Sequence, residues 1–136
     1  MPMNTTPLPT TTEIPPAKER VRYLDDPVLV EARGYGRGRT PGEALWSCVV
    51  AITGYPYRGS GLDSAIARRL DLTPQHWSGL KADGGVHGTL PVVHRLGLVF
   101  VSLSERDHIV CHPSWLSRAG DWPRPVVTAR EFADAR

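Results

Sequence analysis

The chain has 136 residues, of which 40% are hydrophobic and 22% charged, so it is long enough to bury a core without disulfides or metal. The formal net charge of +2 excludes a strongly polyelectrolyte protein, and the longest apolar run, residues 96–103, is too short to cross a bilayer. All but two of the 16 cationic residues are arginine, which suits phosphate and guanine contacts but is also favoured by the codons of a GC-rich genome.

Cysteine usage and the N-terminus indicate the compartment. Cys48 and Cys111 lie far apart with no CxxC spacing, the pattern of reduced thiols. Residues 1–16 contain no basic start followed by an apolar run, so we expect no signal peptide. We therefore expect a soluble cytoplasmic protein with no membrane segment.

Composition along the chain predicts a single domain with tails. Residues 1–20, rich in Pro and Thr, have almost nothing to bury and predict a disordered tail. The folded domain is expected over residues 21–127. Residues 128–136 are expected to form a last helix or a tail.

Two stretches at the start of the domain have different patterns. PVLVEAR, residues 27–33, predicts a strand. GYGRGR, residues 34–39, predicts a flexible basic loop, and its glycines lack the spacing of a phosphate-binding loop. Arg37 and Arg39 are therefore candidate contacts of a basic arm on nucleic acid.

A long helix is expected next. Thr40 precedes Pro41 and Glu43 in a capping-box arrangement, which predicts a helix start at this point. Apolar residues, Cys48 among them, then recur at helical spacing, and Gly54 is expected to end the helix. Because Cys48 lies on the apolar side, it is expected in the core.

Two shorter helices follow, separated by a tight turn. Asp63 is a candidate cap for a helix over residues 64–70. Thr73 caps a second helix predicted over residues 74–82, with Pro at its first position. The DGG triplet at residues 83–85 is expected to stop it.

A fifth helix and a hairpin complete the domain. Thr89 is a candidate cap for the helix, with Pro91 in its first turn. LVFVSL and HIVCH, joined by SERD, are rich in β-branched and aromatic residues and predict a β-hairpin. The expected fold class is α+β: a helical helix-turn-helix core, a C-terminal hairpin and a disordered N-terminal tail.

The segment AIARRLDLTPQHWSGLK, residues 65–81, has the spacing of a helix-turn-helix. Ala67 supplies the small residue where the second helix crosses the first, and Asp71 stands at the turn position that needs a left-handed backbone. Apolar residues occupy the five expected positions: Ile66, Leu70, Leu72, Trp77 and Leu80. With its flanks, residues 42–98, the segment resembles the Cro/cI-type (XRE-like) helix-turn-helix repressors.

This resemblance implies a sequence-specific transcriptional regulator of duplex DNA, of the type found in phages and mobile elements. The second helix would enter the major groove, and two copies would act together as a homodimer because one short helix reads few bases. The candidate DNA-contacting residues on the motif are Arg68, Arg69, Thr73, Gln75, His76, Ser78 and Lys81.

Two alternatives remain open. In a winged-helix arrangement the hairpin would be the wing, with Arg106 at its tip. In the other, the same fold is a non-catalytic protein-interaction module, such as an antitoxin or an inhibitor of a host protein. VEARGYGRGRTPGEAL, residues 30–45, is similar to the strand-to-helix joint of HicB-like antitoxins.

Other chemistry is not expected. His108, Cys111 and His112 lie close in sequence, but alternation along a strand places Cys111 on the opposite face from the two histidines. No nucleophile elbow or other catalytic context surrounds any Ser, Cys or His. We therefore predict no enzymatic activity, no metal and no cofactor.

Overall fold

The computed structural model describes residues 15, 17–54, 62–118 and 120–122. Within these ranges the chain is a mixed α+β fold, as predicted. Two 3-10 helices also occur, at Val21–Asp25 and Pro113–Arg118. The α-helices are α1 Ala17–Arg20, α2 Pro27–Arg33, α3 Pro41–Thr53, α4 Leu62–Arg69, α5 Pro74–Asp83 and α6 Val86–Arg95. The strands are β1 Tyr35–Gly38, β2 Val99–Ser104 and β3 Asp107–Cys111.

α3 is the central element of the fold. The Thr40 hydroxyl accepts a hydrogen bond from the Glu43 amide at 3.0 Å, and the Glu43 carboxylate accepts one from the Arg39 amide at 2.9 Å. The helix ends at Gly54, whose φ of 111° continues the chain in a conformation suited to glycine. Twelve of its 13 residues are buried, Cys48 among them. The predicted start, end and core placement are confirmed.

The strands form one antiparallel sheet in the order β1-β3-β2. β2 and β3 are the predicted hairpin, and Cys111 of β3 lies between Val99 of β2 and Tyr35 of β1. A register shift between Ser102 and Ser104 marks a bulge near the end of β2. The central strand β3 is almost completely buried, because α3 covers one face of the sheet and Trp115 and Trp122 pack on the other.

The expectation of a flexible loop at residues 34–39 is wrong, because four of these residues form β1. Packing against α3 explains the strand. A Cβ added at Gly36 would lie 2.1 Å from the Cys48 nitrogen and 2.5 Å from the Ala44 oxygen. The glycine is therefore present to let the strand lie directly on the helix, and it does not indicate mobility.

The strand predicted at residues 27–33 is also wrong, because this segment is α2. Asp26 caps it: one carboxylate oxygen accepts from the Val28 amide at 3.0 Å and from the Leu29 amide at 3.3 Å. Pro27 occupies the first helical position, where its missing N–H costs nothing. The Asp-Pro start outweighs the strand preference of the valines.

Two helix boundaries differ from expectation. α6 begins at Val86 after Gly85, so Thr89 is an interior residue and not the cap. It is fully buried on the same side of α6 as Val92 and Val93, which are three and four residues further on.

The predicted N-terminal tail also ends earlier than expected, because residues 17–20 form α1. Arg20 is buried and donates to the Gly54 carbonyl at the end of α3. Residues 1–14 and 16 of that tail and the helix expected from residue 128 fall outside the described residues.

The helices pack on the side of α3 that faces away from the sheet. Gly42 of α3 lies against α5, where an added Cβ would come within 1.7 Å of the Leu80 carbonyl oxygen. Ala44 is two residues, or about 200°, further round the helix and faces Gly36 of the sheet. α3 is thus a shared core element between the sheet and the helix-turn-helix region.

Replacing Gly36 with Ala should destabilise the protein by about 1–3 kcal/mol or more, because the added methyl group has to push α3 off the sheet. The measurement is urea unfolding followed by circular dichroism. Gly79→Ala is the matched control: nothing lies within 4 Å of its Cβ position in α5, so the same change should stabilise the helix slightly. Equal effects at the two positions would contradict the packing described.

Candidate nucleic-acid interface

α4, the turn after it and α5 have the geometry predicted for a helix-turn-helix. Asp71, in the turn, has a φ of 61°, and no other non-glycine among the described residues has a positive φ. The turn is closed by a hydrogen bond from the Leu72 amide to the Ala67 carbonyl at 2.8 Å. Thr73 then caps α5, its hydroxyl accepting from the His76 amide at 3.0 Å. The left-handed turn residue and the second cap are confirmed.

The apolar positions of the motif also lie where the spacing placed them. Ile66 and Ala67 of α4 are buried against the core, and Leu72 is half-buried and packs on it. Trp77 and Leu80 fix α5 from the other side of the turn, with 1% and 5% of their surface exposed. The two helices are therefore held by a continuous apolar contact.

The outward face of α5 is polar and solvent-accessible. Gln75, His76, Ser78 and Gly79 are all exposed. A shallow cleft of about 430 Å³ lies at the start of the helix, between it and α4, and Arg68 and Thr73 are among its lining residues. The structure thus exposes five of the predicted motif contacts, of which Arg68 and Thr73 line one cleft and the others follow on α5: Arg68, Thr73, Gln75, His76 and Ser78.

Lys81 does not lie on this face. It is 5% exposed, and its ammonium donates to the Asp63 carboxylate, which also accepts from the Trp77 indole N–H at 3.0 Å. Asp63 is therefore not the N-cap expected for α4, which begins one residue earlier; it joins α4 to α5. Trp77 and Lys81 are four residues apart on one helical face, so the burial of Trp77 was a signal that Lys81 also points inward.

The two arginines at the end of α4 differ in their surroundings. Arg68 is exposed and takes part in none of the ion pairs found among the described residues. Arg69 donates to Asp25 through Nε and Nη2, and both side chains are substantially solvated. Asp25 lies in the first 3-10 helix, so sequence spacing alone gave no sign of this pair.

Of the two arginines predicted to form a basic arm, Arg37 does not join the motif. Arg37 lies in β1 and makes a bidentate ion pair with Asp107, with Nε to Oδ1 and Nη2 to Oδ2 both 2.7 Å apart. This guanidinium lowers the pKa of the Asp107 carboxyl below its usual value. Arg37 follows Gly36, so it points to the sheet face away from α3, while α5 packs on the far side of α3. Arg39 is exposed, and its backbone N–H donates to the Glu43 carboxylate at 2.9 Å.

The two cysteines and His108 are core residues. Both cysteines are fully buried, and burial raises the pKa of the Cys111 thiol to about 11. His108 is buried and contacts the Glu105 carbonyl through Nε2 at 3.0 Å. In the described part of the chain, no three His, Cys, Asp or Glu side chains are grouped as metal ligands would be. None of the described helices is long and apolar enough to cross a membrane.

Comparison with known proteins gives no relative: no protein-family model, curated protein or solved structure matches the chain.

Substitutions at Asp71 test the left-handed turn. Asp71→Val should destabilise the protein by about 1–2 kcal/mol because a β-branched residue resists positive φ, whereas Asp71→Gly should preserve or slightly raise stability. Asp83, exposed at the end of α5 with no positive φ, is the control site. There glycine should be the less stable of the two replacements, because its helix propensity is lower than that of valine. The same order at both sites would rule out the described turn.

Substitution of Asp63 tests the bond between α4 and α5. Asp63→Asn should lower the free energy of unfolding by about 1–3 kcal/mol, because the buried Lys81 ammonium loses its carboxylate partner. The expected loss is at the lower end for a buried ion pair, because one third of the Asp63 side chain is exposed. Asp25→Asn removes the acid from the solvated pair with Arg69 and should cost less than about 1 kcal/mol. Urea unfolding of both variants measures the difference, and a smaller loss at Asp63 than at Asp25 would be inconsistent with a structural role for Lys81.

Proposed function

We propose that the chain is a non-catalytic regulator that binds duplex DNA through α5. The observation that carries the proposal is the exposed polar face of α5, presented by a left-handed turn on a helix pair whose apolar side is buried. A helix-turn-helix of this geometry inserts its second helix into the major groove. The side chains on the exposed face are short or of medium length, so the helix can approach base edges closely.

Individual roles follow from the positions. Gln75, in the first turn of α5, has the amide needed for a two-point contact with adenine, and Ser78 lies one turn further on the same face. Pro74 has no N–H, and the His76 amide is occupied by Thr73. The backbone N–H of Gln75 is therefore the first-turn donor left for a phosphate, assisted by the positive end of the helix dipole.

The number of basic side chains available to contact phosphates determines the expected affinity for DNA. Arg68 is available from the first helix, and Arg69 can exchange its solvated partner Asp25 for a phosphate, while Lys81 and Arg37 are held in ion pairs. Since each phosphate contact contributes to affinity by releasing counterions, one protomer with so few contacts binds weakly. A homodimer would double these contacts and the number of bases read.

A protein-interaction module is the second candidate. It is favoured by the lack of permanent charge on the exposed face of α5, where Gln75, Ser78 and Gly79 lie. A polar, nearly neutral helix face suits contacts to another protein better than contacts to a phosphate backbone. The two candidates differ in whether salt weakens the complex steeply.

Binding of a fluorescent random-sequence duplex, followed by anisotropy at about 50 and 200 mM salt, tests DNA binding. Arg68→Ala should weaken binding and reduce the log–log salt slope by about 0.9 for each bound protomer. Arg118→Ala is the matched control: this exposed arginine stacks on Trp115, which packs on the sheet face opposite α3, and its loss should leave the slope unchanged.

Further arms of the same measurement separate the alternatives. Flattening of the slope by Arg106→Ala, at the exposed hairpin tip, would favour the winged-helix arrangement. No binding by the folded wild-type protein at low salt would refute the DNA proposal and favour the protein-interaction module.

A further inference from the structure

β2 has an unused hydrogen-bonding edge. In the order β1-β3-β2 it pairs with β3 on one side only. Across the described hydrogen bonds, the backbone groups of Val99, Phe100 and Val101 bond to no element other than β3. All three are half-exposed although they begin a strand of the core sheet. Along an antiparallel edge strand every second residue points its N–H and C=O groups away from the ladder, and in this segment those groups are available to another strand.

The composition of β2 does not protect this edge. Natural edge strands are commonly guarded by charged residues or proline, and VFVSLS contains neither. The opposite edge, β1, is four residues long, with two glycines and the paired Arg37, and is poorly suited to receive a strand. The bulge before Ser104 restricts regular geometry in β2 to residues 99–102.

We propose that a second copy of this chain pairs its β2 antiparallel to this edge, which joins the two sheets into one of six strands. A two-fold axis perpendicular to the sheet relates the copies, so the pairing closes on itself and leaves no further β2 edge. The axis also keeps corresponding faces on the same side. Val99 and Val101, which pack on the same side of the sheet as Trp115, therefore lie on one face of the joined sheet in both copies.

Self-pairing is favoured because the strand is uncharged. Two identical charged strands would place like charges opposite each other, whereas two uncharged strands incur no such repulsion. The contact is small: regular pairing of residues 99–102 forms about four backbone hydrogen bonds, and the area falls in the range of reversible complexes below about 1,200 Å². The dimer is accordingly dependent on concentration. It supplies the second copy that the proposed DNA-binding function uses, but it forms without DNA.

Sedimentation equilibrium of the full chain without DNA tests the pairing. The wild-type protein should show a reversible monomer–dimer equilibrium, and Ser102→Lys, at an exposed position of the edge, should raise the dissociation constant at least about tenfold. Ser117→Lys, which adds the same charge at an exposed position of the last 3-10 helix, should leave it unchanged. A monomeric wild-type protein at every concentration, or a folded Ser102→Lys variant that dimerises as the wild type does, would overturn the proposal.

Amide hydrogen exchange of the wild-type protein keeps the test independent of any variant's folding. Amides in Val99–Ser102 should become more protected as protein concentration rises, while those of α5 should not change. Concentration-dependent protection of another surface and not of β2 would also refute the β2 interface. A dimer with no affinity for DNA would refute the proposed function alone, and a monomer that binds DNA would refute the β2 interface alone.

Discussion

The burial of α3 is the constraint on which the rest of the structure depends. Twelve of the 13 residues of α3 are buried, so other elements have to cover the helix on all sides. The sheet covers one side of α3, and the helix-turn-helix region covers another. The contacts are close because glycine replaces a side chain where the backbones meet: Gly36 against Cys48, and Gly42 against Leu80. The position of α5 is therefore fixed through the same helix that orders the sheet.

Much of this fold was predictable from local patterns. The capping signals at Thr40 and Thr73, and the apolar spacing from Ile66 to Leu80, gave helices in the observed places because each depends on residues close in sequence. The left-handed Asp71 was predictable for the same reason. The hairpin was also found, since its two strands are joined by a short turn.

The errors arose where distant packing decides the structure. The glycines of β1 predict a loop when considered alone, and only their contact with α3 makes them part of a strand. The valines of α2 predicted a strand, although the Asp-Pro cap before them was a usable signal. For the candidate site, the exposed side chains of α5 were predictable, whereas the acidic partners of Arg37, Arg69 and Lys81 were not, because they lie 18 to 70 positions away.

Asp63 accepts from both Trp77 and Lys81, and this shared acceptor divides α5 into two sets of residues. Trp77 and Lys81 point inward and share the Asp63 carboxylate. A change at Asp63, Trp77 or Lys81 that keeps the stability of the protein therefore requires matching changes at the other two positions. Gln75 and Ser78 make no part of that contact and can be exchanged one at a time. The outward surface of the helix can therefore change over evolution while the angle at which the helix is held stays the same.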